Sequence, residues 1–166
     1  FDTNKEKIRL LNSGRSYIDR ITNKDIKILN RKGEFFNNFK NINKCNVLII
    51  CVPTPLKSNN IPDLSYIKKT ISSIKEKLEK GQVLILESTS YPGTTREEVV
   101  KKLNKKFLPG QNFFIGFSSE RINPGFNENT IFKVPKVVSG YSSDCLEIIS
   151  SFYKLAFKEV VKSKSL

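Results

Sequence analysis

Three short polar stretches hold most of the side chains able to do chemistry: Pro53-Thr54-Pro55, Glu87 to Thr95, and Ser118 to Gly125. The sequence contains no histidine. That excludes Ser-His-Asp and Cys-His triads within this chain and argues against a zinc site. Proton transfer must then use Glu, Asp, Lys, Tyr or water, and no metal is expected. The three cysteines, Cys45, Cys51 and Cys145, fit neither a CxxC pair nor a metal knuckle. Cys51 sits inside an apolar run, where thiols are commonly buried and inert. All three read as reduced and structural, in a reducing compartment.

The three polar stretches matter because of what precedes them. Asn46 to Val52 is apolar without alternation, as a parallel strand covered on both faces must be, and Pro53-Thr54-Pro55 ends it. Val83 to Leu86 is a second such strand, and Phe113 to Phe117 a third. Between them lie helix-period segments. Asp63 is a natural N-cap for a helix to about Lys80, whose Leu64, Ile67, Ile71, Ile74 and Leu78 form one apolar stripe. Thr94 with Glu97, and Thr95 with Glu98, fit capping boxes for a helix to about Lys106. Towards the N-terminus, Phe1-Asp2 reads as the end of a strand, and Lys5 to Leu11 and Lys24 to Leu29 as short helices; Phe35 to Ile42 is ambiguous. Towards the C-terminus, Lys136 to Ser139 and Glu159 to Val161 read as strands flanking a helix capped by Ser142 or Ser143. Alternating strand and helix is the pattern of an α/β fold with a parallel sheet. Ligands of such sheets bind outside the carboxyl ends of the strands, where the three polar loops converge.

Composition bounds the partners. At 166 residues with 38% hydrophobic content, the chain is about one domain with a real core. The longest apolar run, Val47 to Val52, is far short of the roughly 20 residues that span a bilayer. No membrane role and no secretory signal are expected. The net charge of +13 invites a nucleic-acid reading. The basic residues are scattered, however, and no block of like charge stands out. General lysine enrichment of solvated positions explains the charge without a nucleic-acid partner.

The segments CVPTPL (51–56), PDLSYI (62–67), ESTSYPGTT (87–95) and SERINPG (119–125), in this order, identify something more specific. Together they resemble the N-terminal domain of the UDP-glucose/GDP-mannose dehydrogenase family, in the branch that oxidises UDP-N-acetyl-hexosamines. The resemblance implies a Rossmann-like parallel sheet with helices on both faces, NAD as cofactor, and oxidation of a UDP-sugar C6 alcohol to a uronic acid for polysaccharide synthesis. It further implies a cytoplasmic homo-oligomer. For this sequence it places Asp2 on the adenosine ribose with Lys7 nearby; locally, Asp2 could equally cap a helix and Lys7 be a solvated helix lysine. Val52, Pro53 and Thr54 fall beside the cofactor, where the alternative is a turn shaped by two prolines. Thr89 matches the family threonine beside the nicotinamide and a catalytic water; Glu87 shares its side of the strand by alternation and is expected to contact the cofactor as well, with Ser88 on the other side and ranked lower. Glu120 matches the glutamate that touches substrate and helps general-base chemistry; locally it could simply pair with Arg121 on the surface. Arg121, Asn123 and Gly125 would line the sugar-nucleotide side.

Departures from the family pattern set further expectations. No GxGxxG occurs, so the pyrophosphate cradle at a helix N-terminus is absent. Ser119 stands where the family usually has proline. The family's cysteine, central-helix lysine and asparagine have no counterpart here. The chain 1–166 thus reads as a partial NAD-binding domain, truncated at the first strand and helix and inactive alone, with a sheet edge exposed. The alternatives are another NAD-dependent dehydrogenase of the hydroxyacid type, against which the ESTSYPGTT loop argues, and a basic nucleic-acid-binding module.

Overall fold

A computed structural model describes residues 1–58, 60–120, 134–164 and 166. The chain divides into two compact units, Phe1–Asn41 and Ile42–Leu166.

The first unit is built on two short helices, α1 (Lys5–Asn12) and α2 (Asn23–Asn30). Both begin where a side chain can accept from the orphan amides of a first turn. Asn4 accepts from the N–H groups of Glu6 and Lys7 at 3.0 and 3.1 Å. Thr22 and Asp25 form a reciprocal capping box. Ile8, Leu11 and Ile26 are the buried apolar side chains of this unit. Phe1-Asp2 is not part of a strand. The Asp2 N–H donates to Phe36 O at 3.0 Å, and the Phe1 ring stacks on Phe36. That backbone bond and the contacts of the Phe1 ring with Phe36 and Phe39 stand in place of the expected ladder.

The second unit carries a five-stranded sheet in chain order: β1 (Val47–Ile50), β2 (Val83–Leu86), β3 (Phe114–Ser118), β4 (Lys136–Gly140) and β5 (Val160–Lys162). The first three strands are parallel, in the register Ile50 to Leu86 to Phe117. β4 runs antiparallel to β3, with Phe117 opposite Ser139, and β5 is parallel to β4. β2 is buried along its whole length, as its unalternating VLIL requires. Val83 and Ile85 pack with Val138, Ile149 and Tyr153, so this face lies under α4 (Ser143–Lys154). Leu84 and Leu86 point the other way and are equally buried. The stripe Ile67, Ile71 and Ile74 of α3 (Ser65–Ile74) belongs to that second layer. Helices on both faces of a mainly parallel sheet are the α/β architecture expected.

Two helices are shorter than their patterns predict. α3 starts at Ser65, whose N–H is bonded by the Asp63 carboxylate at 2.9 Å, and gives way at Lys75–Lys77 to a single 3-10 turn before Leu78 becomes extended. The segment after Gly93 is a π-helical stretch, Thr95–Val99, closed by a 3-10 turn, Val100–Lys102. No capping box forms there, because the Thr94 hydroxyl donates back to Tyr91 O at 2.7 Å. The buried amide of Gln82 was not anticipated. It donates to Ile42 O and Cys45 O at 3.0 and 2.7 Å and accepts from Glu79 N–H, fixing the entry into β1 against the start of β2.

Candidate active site at the carboxyl rim of the sheet

The parallel strands β1, β2 and β3 all end at one rim, so the loops starting at Cys51, Glu87 and Ser119 emerge side by side. Hydrogen bonds tie the first two together. The Glu87 N–H donates to Ile50 O at 2.9 Å, continuing the ladder. The Ser88 hydroxyl accepts from Val52 N–H at 2.8 Å and donates to Ile50 O at 3.2 Å. Strand alternation turns Ser88 towards the neighbouring loop and leaves it buried. Val52 is thereby held by Ser88, and Thr54, two residues on, is half-buried while Pro53 is exposed.

Glu87 does not face solvent. Its carboxylate forms an ion pair with Lys136 at the start of β4 and accepts from the Tyr153 hydroxyl of α4 at 3.1 Å. The Cys51 thiol lies 4.0 Å from the same carboxylate. Lys136 also donates to Ser119 O at 3.4 Å, and its ammonium sits 5.1 and 5.5 Å from the Tyr153 and Phe157 ring centroids. Burial pushes the Tyr153 phenol up to about 12, with the bond to Ser118 opposing. Cys51 is exposed and lies just beyond β1, not buried inside a strand as expected, because the strand ends at Ile50; partial desolvation of its thiol, with the Glu120 carboxylate adding to it, still pushes the thiol up, so the thiol is the favoured form and a poor nucleophile. Burial lowers the pKa of Lys136.

Thr89 and Glu120 are exposed beyond this cluster. The rim thus presents a half-buried hydroxyl, an exposed hydroxyl and an exposed carboxylate from three neighbouring strand ends, over a base that is charged but internally neutralised. Arg121, Asn123 and Gly125 lie outside the described residues. In the first unit, Asp2 Oδ1 accepts from Asn4 N–H at 2.8 Å, and the Lys7 ammonium lies 5.0 Å from the Tyr17 ring centroid. The sequence signal for Lys136 was a lysine two residues from Val138, on the core face of a strand; Tyr153 showed only as a member of an apolar helix stripe.

Residues 1–157 match the UDP-glucose/GDP-mannose dehydrogenase family, NAD binding domain. The chain belongs to that family. Among curated relatives, this dehydrogenase domain is 39% identical over 160 residues to the UDP-N-acetyl-D-glucosamine 6-dehydrogenase of Pseudomonas aeruginosa, covering 93% of this chain and 37% of that protein. It is 33% identical over 156 residues to the Salmonella typhi enzyme of the same name, covering 93% of this chain and 36% of that one. Among solved structures, the UDP-D-ManNAc dehydrogenase of Pyrococcus horikoshii superposes with a TM-score of 0.87 at 28% identity, over 99% of this chain and 40% of its own. The chain therefore spans less than half the length of the relatives it matches, and the family match is to the NAD binding domain. Among its described residues, no group of three or more Cys, Asp or Glu could hold a metal ion, and no helix is long and apolar enough to cross a membrane.

Proposed function

We propose that this chain is the cofactor-binding part of an enzyme that oxidises the C6 alcohol of a UDP-N-acetylhexosamine to the uronic acid. The observation that carries the reading is the rim itself: Thr54, Thr89 and Glu120 emerge from three adjacent parallel strand ends, the position at which such sheets bind ligands. The 39% identity to a UDP-N-acetyl-D-glucosamine 6-dehydrogenase across nearly the whole chain supports the substrate class.

The residues present fit the nicotinamide side of the cofactor. Bound NAD supplies a hydride acceptor. The chain's own residues bind and orient. Pro53 and Pro55 fix the backbone so that the Thr54 hydroxyl and neighbouring Val52 meet the ligand with little conformational freedom to lose. The Thr89 hydroxyl accepts from one partner and donates to another, which suits it to hold a water or an amide beside the reacting carbon. The exposed Glu120 carboxylate is the proton acceptor for the sugar hydroxyl, a role no histidine of these 166 residues can take. Glu87 shapes this floor from beneath. Asp2 serves the adenosine ribose: Asn4 N–H occupies Oδ1, and the carboxylate has a second oxygen to offer. Lys7 makes the neighbouring contact. Arg121, Asn123 and Gly125 bind the sugar nucleotide. Thiol side chains at Cys45, Cys51 and Cys145 accord with a reducing, cytoplasmic setting, and the assembled enzyme is a homo-oligomer without a nucleic-acid partner.

The test is NADH formation by the complete enzyme from UDP-N-acetylglucosamine, UDP-N-acetylgalactosamine and UDP-glucose. Glu120→Gln and Thr89→Ala are each expected to lower kcat by about a hundred-fold, the range for losing a positioned acid–base or orienting group. Unchanged rates in both variants would overturn the site assignment, and no turnover of any UDP-sugar would overturn the activity.

A further inference from the structure

Lys136 is the most unusual ionisable group in the second unit. It stands in a strand between two others, its side chain is 8% exposed, and it faces the same side as the core residue Val138. A lysine so placed must have its charge answered locally. Its three ammonium protons meet the Glu87 carboxylate, the Ser119 carbonyl at 3.4 Å, and the rings of Tyr153 and Phe157. The first two partners belong to different loops. Glu87 directly follows β2 and lies two residues before Thr89. Ser119 follows β3 and immediately precedes Glu120.

We propose that Lys136 is a positioning residue, its ammonium clamping the ends of β2 and β3 so that the loops carrying Thr89 and Glu120 are held at a fixed separation. The role is indirect, because Lys136 reaches neither side chain itself. Glu87 acts as the second jaw: it takes Lys136 on one carboxylate oxygen and the Tyr153 hydroxyl on the other, while its own N–H is bonded to Ile50 O. One buried charge pair thus joins the ends of β1, β2, β3 and β4 with α4. For a reaction in which a hydroxyl and a carboxylate from separate loops act on one carbon, the spacing of those loops enters the rate. The inference rests on the proposed activity for its catalytic meaning, but the clamp itself does not depend on it.

Three variants test it: Lys136→Met, Lys136→Arg, and the double variant Lys136→Met with Glu87→Gln, which removes both charges and leaves no carboxylate buried without its partner. Backbone order parameters from ¹⁵N relaxation of the complete protein read Thr89 and Ser119 without any turnover. In Lys136→Met and in the double variant, both positions are expected to fall together from the rigid range near about 0.85 towards about 0.6. Leu84 and Ile115, inside the strands, should keep their values, and Lys136→Arg should restore both loops. Two results overturn the clamp: order retained at both positions in the double variant, which makes the pair a charge-burial device only, or loosening confined to Thr89. In the complete enzyme, Lys136→Met should lower kcat about ten-fold or more with the KM for NAD within about two-fold, the signature of misplaced groups and not of a lost binding contact. An unchanged kcat alongside loosened loops would remove the catalytic role. Absence of turnover in the unmodified enzyme would instead sink the proposed activity, and the order parameters would still decide the clamp.

Discussion

The residues at the rim divide into those that show themselves to solvent and those that hold them there. Thr89 and Glu120 are exposed, whereas Glu87, Lys136 and Tyr153 are drawn into the protein around one ion pair. Tyr153 records that burial. Its phenol is pushed up to about 12 from an ordinary 10, chiefly because burial disfavours the phenolate. With the folded value above the unfolded one, the neutral phenol's contribution to stability is fully present below pH 10 and is lost as pH rises through about 12. Of the five tyrosines, one should therefore titrate late in a tyrosinate absorbance experiment, and Tyr153→Phe should abolish that late step. Absence of any late step that Tyr153→Phe removes would contradict the buried cluster. The residue-level reading of the sequence reached the rim but not its support. Loop residues such as Thr54 and Glu120 were legible because they follow recognisable strands. Lys136 was not, because a lysine at a strand start looks like a solvated end until its facing helix is known. Alternation could not say that a lysine 49 positions away would claim the Glu87 carboxylate.

At the level of elements, unalternating apolar runs located the three parallel strands, but only β2 is covered on both faces along its length; β1, at the sheet edge, is shorter than the run Asn46 to Val52 and leaves Ile49 exposed. Helix ends were less legible. The α3 stripe continues past Ile74 to Leu78, but the backbone tightens at Lys75 and straightens at Leu78, and a fully buried Leu78 satisfies the pattern from an extended conformation. Likewise the capping-box spacing after Gly93 was present without the box, because Thr94 found a nearer acceptor in Tyr91. The direction of β4 was also hidden, since an edgeward strand reads the same in either sense. What fixes that part of the sheet is close approach. A Cβ on Gly116 would come within 2.1 Å of Ser139 O on β4 and 2.4 Å of Ile149 Cδ1 on α4. Only a residue without a side chain lets β3, β4 and α4 meet there. Gly116→Ala should destabilise the domain by about 2 kcal/mol or more through forced displacement of β4 or α4, measured by denaturant unfolding. A loss near zero would mean that the helix is not seated on β3 as described.

Taken as a whole, the molecule places its apolar material very unevenly. Phe1–Asn41 holds three buried apolar side chains, Ile8, Leu11 and Ile26, while Ile42–Leu166 holds the sheet, its two helical layers and the remaining core. A unit of that size has little to set against the entropy of ordering its backbone, and chains below about 40 residues seldom fold on a core alone. Its helices compensate locally, through the Asn4 cap and the Thr22–Asp25 box, but caps contribute only about 1 kcal/mol each. The opening free energy of α1 and α2 should therefore be smaller than that of β2 and β3. Native-state hydrogen exchange checks this amide by amide: Leu11 and Ile28, in the helices, should exchange by local opening and well before Leu84 and Ile115 in the strands, whose exchange should track global unfolding. If all four amides exchanged with the same free energy and the same denaturant dependence, the two units would unfold as one. The consequence for function is directional. On the function proposed above, in which Asp2 and Lys7 meet the cofactor, the elements that carry them would be the readily ordered and disordered part, and cofactor binding would raise their protection by more than it raises that of the sheet.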